Sequence, residues 1–293
     1  MKFIEEYNKI KSLAQSELAI IEGNLANEID VHPPLNSSLI KFLTSSSKRV
    51  RPVLAILLAK SFNKNLSENQ LEFLSVIELI HNASLIHDDI IDECDIRRGS
   101  KTIGAEFDNK LAVISGDYLL TIAMDKLTRI GNTELIKKVT AAIRQMCIGE
   151  INQNFERFKV GSIEEYIEKT KNKTAYLFEC ALTGTILLGK YNFDINQICQ
   201  LGLNTGIAFQ IRDDILNITS SQTDKPVKND IKEGIYNAPV IFGDKSDNYK
   251  SGVEKTILLL NNYTSNAAKI INTLPQNEYS EALLKFIGLL ENV

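Results

Sequence analysis

Apolar side chains return every three or four residues from the first segment onward. Phe3, Tyr7, Ile10, Leu13, Ala14, Leu18, Ile21 and Leu25 form one stripe, the spacing that makes a 3.6-residue helix amphipathic. The same period recurs along most of the chain, and no segment alternates convincingly at period two. Only short pieces such as Val240-Ile241-Phe242 suit a strand. Helix starts carry readable signals. Pro52 suits the first turn of a helix running through Leu54, Leu57 and Leu58, because its missing N–H would be unpaired there anyway. Ser67 with Gln70, and Ser162 with Glu165, read as capping boxes ahead of two long apolar-periodic stretches, the second reaching about Gly189. Asp194 can cap the next helix, whose pattern runs through Ile198, Leu201, Ile207, Phe209, Ile211 and Leu216. The pattern predicts an all-α protein with about ten or more helices in a single domain over residues 1–293. The segment from Ser220 to Ala238, with Pro226 and Gly234 inside it and Pro239 just beyond, reads as a loop able to close over a site.

Two aspartate clusters interrupt this pattern inside otherwise apolar stretches: His87-Asp88-Asp89-Ile90-Ile91-Asp92 and Gln210-Ile211-Arg212-Asp213-Asp214-Ile215-Leu216-Asn217. Ionised carboxylates at i and i+4 stand about 5–6 Å apart on one helix face and repel by roughly 0.2–0.5 kcal/mol, so a cation between them is expected. Hard oxygen ligands suit Mg²⁺, which keeps several waters and takes one or two carboxylates plus substrate phosphates. The chain therefore reads as a holder of a phosphorylated substrate through metal.

Composition narrows the partners. With 44% hydrophobic and 24% charged residues the chain is ordinary globular protein. A formal net charge of −4 offers no whole-molecule attraction to nucleic acid, so an anionic substrate needs a local basic cluster. Lys48-Arg49-Val50-Arg51-Pro52 supplies one: three cations beside a proline-started helix, whose first-turn N–H groups add to an anion site. By itself the run equally suits a solvated charged face. Arg97-Arg98 follows the first aspartate cluster, with Gly99 read as ending the helix, where the pair would also complement the helix dipole. Lys173-Thr174 and Lys225 bring further cations from separate segments. Cys94, Cys147, Cys180 and Cys199 show no paired or zinc-type spacing, and the N-terminal residues show no signal peptide, which together favour a reducing cytoplasm. The longest apolar runs fall far below the roughly 20 residues that span a bilayer, so no transmembrane segment is expected.

Taken together, and in order along the chain, these features resemble the trans-isoprenyl diphosphate synthase (polyprenyl synthetase) family, in particular the bacterial medium- and long-chain members. The likeness rests on Lys48-Arg49-x-Arg51-Pro52, Asp88-Asp89-x-x-Asp92 with Arg97-Arg98-Gly99, and Gly149-Glu150-x-x-Gln153. It continues through Lys173-Thr174-Ala175, Phe209-Gln210-x-x-Asp213-Asp214 and Lys225-Pro226…Asp230…Gly234…Pro239. The resemblance implies a helical bundle around a central cavity, the isoprenoid synthase fold. It also implies head-to-tail condensation of an allylic diphosphate with isopentenyl diphosphate, giving a polyprenyl diphosphate for isoprenoid (quinone side chain) biosynthesis.

By the same resemblance Asp88 and Asp92 bind two Mg²⁺ ions and Asp213 a third, while Arg97, Lys173 and Lys225 neutralise the departing diphosphate. Lys48, Arg51, His81 and Arg98 form the isopentenyl diphosphate site, with Arg49 as an additional contact. Thr174 and Gln210 orient substrate and stabilise positive charge, and the proton lost at the end passes to the released diphosphate. His87 reads as structural, or as orienting a carboxylate.

The growing tail should descend from Asp88 along its own helix, past Ser84 and Ala83 four and five positions earlier. Short-chain members place a bulky aromatic at one of these positions. Both residues here are small, so a hexaprenyl or longer product is expected, unless Ala83 and Ser84 serve only close helix packing. The chain departs from the family pattern at Ser47 and Lys101, at Asn217 in place of an aspartate, and at Ile235 in place of a lysine that often follows Gly234. The last change weakens the basic lid. A homodimer is implied, or the catalytic subunit of a heteromer. Competing readings are a short-chain farnesyl or geranylgeranyl diphosphate synthase, a non-catalytic subunit, a terpene cyclase and a helical binding protein. The intact aspartates oppose the non-catalytic subunit, and the Lys48–Arg51 motif opposes the cyclase.

Overall fold

The computed structural model describes residues 2–45, 47–63, 65–219 and 229–293. The chain is all-α, with helices α1 (Lys2–Ser12), α2 (Gln15–Asn27), α3 (Pro33–Thr44), α4 (Val50–Ser61) and α5 (Glu68–Ile91). A two-stranded hairpin, β1 (Ile96–Arg97) and β2 (Ser100–Lys101), precedes α6 (Ile103–Glu106), α7 (Asn109–Ile130) and α8 (Thr133–Phe155). Then come α9 (Ile163–Thr170), a π-helical turn over Lys171–Ala175, α10 (Tyr176–Gly189) and α11 (Ile195–Thr219). The described part ends with α12 (Asn229–Lys232), α13 (Ala238–Phe242), α14 (Lys250–Ile271) and α15 (Glu278–Leu290).

The chain groups into two compact units. One comprises Lys11–Lys137 and Gly184–Tyr191; the other comprises Met1–Ile10, Lys138–Thr183 and Asn192–Val293. Three of the unit boundaries fall inside helices α1, α8 and α10. In the first unit α5 is the core element, packed by α2, α4 and α7. Phe73, Leu74, Val76, Ile77, Leu79, Ile80, Ala83 and Ile86 along it are all buried. Gly116 of α7 lets α5 approach, since a Cβ there would lie 2.2 Å from His87 Nε2. In the other unit α11 plays the same part, packed by α14, α13, α15 and the π turn.

The expected starts are present. Ser67 and Ser162 each make a complete capping box, with Gln70 and Glu165. Asp194 Oδ1 accepts from Asn196 N–H at 2.9 Å ahead of α11. Of the N-terminal stripe Tyr7, Ile10, Ala14, Leu18, Ile21 and Leu25 are buried while Phe3 and Leu13 are half-buried, and it divides into α1 and α2, with Ala14 at the N-cap of α2.

The loop expected from Ser220 to Ala238 lies outside the described residues over 220–228 and carries the short helix α12 at Asn229–Lys232. Two further local expectations change. Val240-Ile241-Phe242 lies in α13 rather than a strand: Asn237 stands at the N-cap and a proline in the first turn, and these signals outweigh β-branching over so short a run. Arg97-Arg98-Gly99 does not end a helix. α5 stops at Ile91, with Glu93 left-handed at φ 50°, and Cys94 N–H closes onto Asp89 O (2.8 Å) while Glu93 N–H reaches Ile90 O (3.3 Å), a Schellman closure. Arg98 (φ 52°) and Gly99 (φ 75°) then form the turn between Arg97 and Ser100, which pair across β1 and β2. Positive φ at both central residues is what a tight I′ hairpin requires.

Candidate active site

In the first unit the last turn of α5 carries Asp88 and Asp89, with Asp92 at the C-cap, and it contains no basic residue. Carboxylates at the negative end of a helix dipole are disfavoured by about 0.3–1 kcal/mol each. The protein compensates one of them internally. Asp89 is 5% exposed and its Oδ1 accepts from Arg97 Nε at 2.5 Å. Asp88 and Asp92, one helical repeat apart with Asp92 N–H donating to Asp88 O, are half-buried. The adjacent aspartates thus divide: the second locks the hairpin arginine, and the first stands with Asp92 as the pair expected to bind metal.

The basic cluster lies in the same unit. Arg49 is left-handed (φ 53°) at the N-cap of α4. Its guanidinium, expected as an additional substrate contact, is instead turned inward. It donates to Glu78 Oε2 (2.7 Å) and Glu22 Oε1 (3.4 Å), and to Leu43 O. Arg51 and His81 sit together with Arg98. Burial, then the charges of Arg51, Arg98, Arg49 and Arg97, hold the His81 imidazole well below its ordinary 6.5, so it is neutral at pH 7. Burial pushes the Arg51 guanidinium down to about 10, still charged at neutral pH. Arg98 donates to Ser45 Oγ at 3.1 Å and lies over the Phe42 ring. Lys48 is exposed just ahead of this group. His87 is a packing residue, its Nε2 3.3 Å from Val113 O and 3.4 Å from Asp117 Oδ1. Ala83 is fully buried, and Ser84, half-buried, donates its hydroxyl to His81 O.

In the other unit a four-residue rhythm along α11 builds the second group. A Cβ on Gly202 would meet Glu179 Cα at 2.4 Å, and one on Gly206 would meet Ala175 Cα at 2.5 Å, so the backbones run in contact. The next residues on that face are Gln210 and Asp214. Gln210 Oε1 accepts from Thr174 Oγ1 (2.9 Å), and its Nε2 donates to Asp214 Oδ1 (3.0 Å). Tyr166 Oη donates to Asp214 Oδ2 at 2.6 Å. Asp214 is buried, whereas the Asp213 side chain is 43% exposed, with Arg212 Nη1 at 3.7 Å. Here too the second aspartate is committed inward. Lys173, in the π turn, pairs with Glu150 Oε2 at 2.8 Å, and Glu150 Oε1 accepts from Gln153 Nε2 at 3.1 Å. π turns of this kind recur at functional sites. Lys225 and Pro226 lie outside the described residues.

Among the described residues no three His, Cys, Asp or Glu side chains gather closely enough to cage a metal. Sequence reasoning gave no role to Glu78, Asp89, Glu150 or Asp214, the carboxylates that hold Arg49, Arg97, Lys173 and Gln210 in place. Glu78 did leave a signal, an acid within the apolar run Val76-Ile77-Glu78-Leu79-Ile80.

The family model described as polyprenyl synthetase matches residues 32–274. A prenyl transferase of Cyanidium caldarium is 38% identical over 242 residues, covering 80% of this chain and 75% of its own. Component 2 of the heptaprenyl diphosphate synthase of Geobacillus stearothermophilus is 29% identical over 309 aligned positions, covering 95% of this chain and 96% of its own. Among solved structures, a decaprenyl diphosphate synthase from Rhodobacter capsulatus matches with a TM-score of 0.87, at 23% identity and over 98% of both chains. That likeness speaks to the fold.

Proposed function

Because the chain belongs to the polyprenyl synthetase family and is a prenyltransferase, we propose that it condenses isopentenyl diphosphate head-to-tail with an allylic diphosphate, giving a medium- or long-chain all-trans polyprenyl diphosphate. The observation that carries this is the cluster of Arg51, His81 and Arg98, where two guanidinium charges act on one imidazole. It suits a diphosphate that binds but does not leave. A neutral His81 contributes a hydrogen bond there and no further charge.

Magnesium dependence is general in the family. Asp88, Asp92 and Asp213 have the donor chemistry for it, and we propose three ions. When bound, magnesium supplies Lewis-acid neutralisation of the leaving diphosphate. In the reaction the primer's C1–O bond breaks and pyrophosphate departs. The double bond of isopentenyl diphosphate attacks the allylic cation, a C–C bond forms, and a proton passes to the released pyrophosphate. Arg97 and Lys173, pre-oriented by Asp89 and Glu150, neutralise leaving-group charge, together with Lys225. Fixed cations act at low reorganisation cost in a site that excludes water. Thr174 and Gln210 turn oxygen atoms toward developing positive charge.

Small Ala83 and Ser84 beneath Asp88 support a long product. The names of the relatives agree, one a heptaprenyl synthase component. That "component" also favours a second arrangement, in which this chain is the catalytic subunit of a heteromer. As a homodimer, the surfaces available are the exposed Val113 and Ile114 on α7 and Ile148, Ile151 and Phe155 on α8. No helix among the described residues is long and apolar enough to cross a membrane; we propose a cytoplasmic enzyme, as the unpaired spacing of the four cysteines suggests. Chromatography of products from farnesyl diphosphate, labelled isopentenyl diphosphate and Mg²⁺ tests the reading. Elongation to six or more isoprene units is expected. A folded sample that elongates nothing, alone or with a partner subunit, refutes it.

A further inference from the structure

Tyr166 lies outside every motif that pointed to the reaction, yet it is 3% exposed and holds a buried carboxylate. Its α9 helix precedes the π turn, and its partner Asp214 sits one turn beyond Gln210 on α11. The hydrogen bonds form one connected chain that converges on Asp214 from both sides. Tyr166 Oη donates to Asp214 Oδ2, Gln210 Nε2 donates to Asp214 Oδ1, and Thr174 Oγ1 donates to Gln210 Oε1. Asp214 accepts on both oxygens, so the Gln210 amide has one orientation, nitrogen toward Asp214 and oxygen toward Thr174. Three elements meet in four residues, three of them buried: Tyr166, Thr174 and Asp214.

The surroundings point the same way. Tyr166 and Gln153 both line a cavity of about 240 Å³, with Lys159, Lys169, Ile235 and Tyr236 among its other walls. Gln153 anchors Glu150, which holds Lys173. Tyr166 anchors Asp214, which holds Gln210. Each buried polar side chain in this wall therefore supports a carboxylate that sets the direction of a residue facing the reaction. Burial and the adjacent Asp214 raise the Tyr166 hydroxyl well above its ordinary 10.0, so it stays a donor at working pH.

We propose that Tyr166 is a positioning residue for prenyl transfer, fixing through Asp214 the amide of Gln210 and the hydroxyl of Thr174; this rests on the reading that Gln210 and Thr174 face the substrate. Without the tyrosine hydroxyl, Asp214 Oδ2 loses this 2.6 Å contact in a buried setting, and the carboxylate turns toward its remaining partners, taking the Gln210 amide with it.

Tyr166→Phe in the full-length chain should keep its helical circular dichroism and lose about tenfold in kcat, as removal of outer-sphere partners does, with KM for isopentenyl diphosphate unchanged. In a Gln210→Ala background the same change should cost less than about a further twofold, because residues acting through one another are not additive. Asp214→Asn, isosteric but donating where Asp214 accepts, should reproduce the loss if Tyr166→Phe folds poorly. The side-chain amide ¹H–¹⁵N signal of Gln210, identified by its absence in Gln210→Ala, should move in Tyr166→Phe. Wild-type turnover in both folded variants, full multiplication in the double variant, or an unmoved amide each overturns the proposal. A moved amide with unchanged turnover overturns it as well, by removing Gln210 as a substrate contact. A wild-type chain that elongates nothing, alone or with a partner subunit, would refute the functional reading, while the amide signal still decides the Tyr166–Gln210 link.

Discussion

At the scale of single residues, each pair of adjacent aspartates divides its labour. Asp89 and Asp214 are buried on internal donors, while Asp88 and Asp213 keep partial exposure. Asp92 sits at the negative end of α5 with no basic residue in the last turn. Asp92→Asn should therefore raise stability without Mg²⁺ by about 0.3–1 kcal/mol, read as a higher urea midpoint. The same variant should lose roughly 10²-fold or more in kcat, as loss of transition-state charge stabilisation does. His81 gives a pH signature. The unfolded imidazole takes up a proton near 6.5 and the folded one does so only well below that. Its contribution to stability is complete above about 6.5 and falls as the pH drops toward the folded value, by up to about 1.4 kcal/mol per pH unit. Urea titrations from pH 7.5 downward should show this acid-side loss reduced in His81→Gln. Equal pH slopes for the two proteins would contradict an imidazole held neutral in the folded state. Ala83→Phe should shorten the product if the tail passes that wall, and an unchanged length assigns Ala83 to packing alone.

At the scale of elements, the Gly202, Gly206, Gln210 and Asp214 series along α11 sets the second half of the site. A Cβ at Gly206 would meet backbone rather than a flexible side chain. Gly206→Ala should therefore push α11 outward, part Gln210 from Thr174, and lower kcat more than it lowers the melting temperature; steady-state rates beside a thermal melt check this. The elements themselves were largely readable from pattern. The serine caps at 67 and 162 and the acid at 194 stand where their helices begin, because local hydrogen bonding dictates them. The hairpin at 96–101 was not readable. Gly with positive φ serves a helix C-terminus and a tight hairpin turn alike, and only the Glu93 closure, a strained conformation for a non-glycine residue, separates the two. The candidate site divides in the same way. Its cations and the acids expected to bind metal are legible by residue type, and Asp89, Glu150 and Asp214 lie in the same motifs, but that these three hold Arg97, Lys173 and Gln210 is visible only once the helices are packed.

At the scale of the whole chain, assembly is the property that exposed apolar residues bear on. Ile114 beside Val113 on α7, and Ile151 beside Ile148 on α8, are each exposed, at 61% for Ile114 and 55% for Ile151, and exposed apolar patches mark candidate association surfaces. Ile114→Glu and Ile151→Glu should each shift the sedimenting species toward the monomer without loss of helicity; retention of a dimer by both would place the interface elsewhere. A further property follows from the unit boundaries inside α1, α8 and α10. Neither unit can be excised at a loop. Severing a helix strips up to about four carbonyl acceptors of their partners on the N-terminal side of the cut and four amide donors on the C-terminal side. Shortened genes, split reporters and protease nicks aimed at the junctions in α8 and α10 should yield insoluble fragments, so the smallest unit that can be inherited, swapped or engineered here is larger than either compact unit.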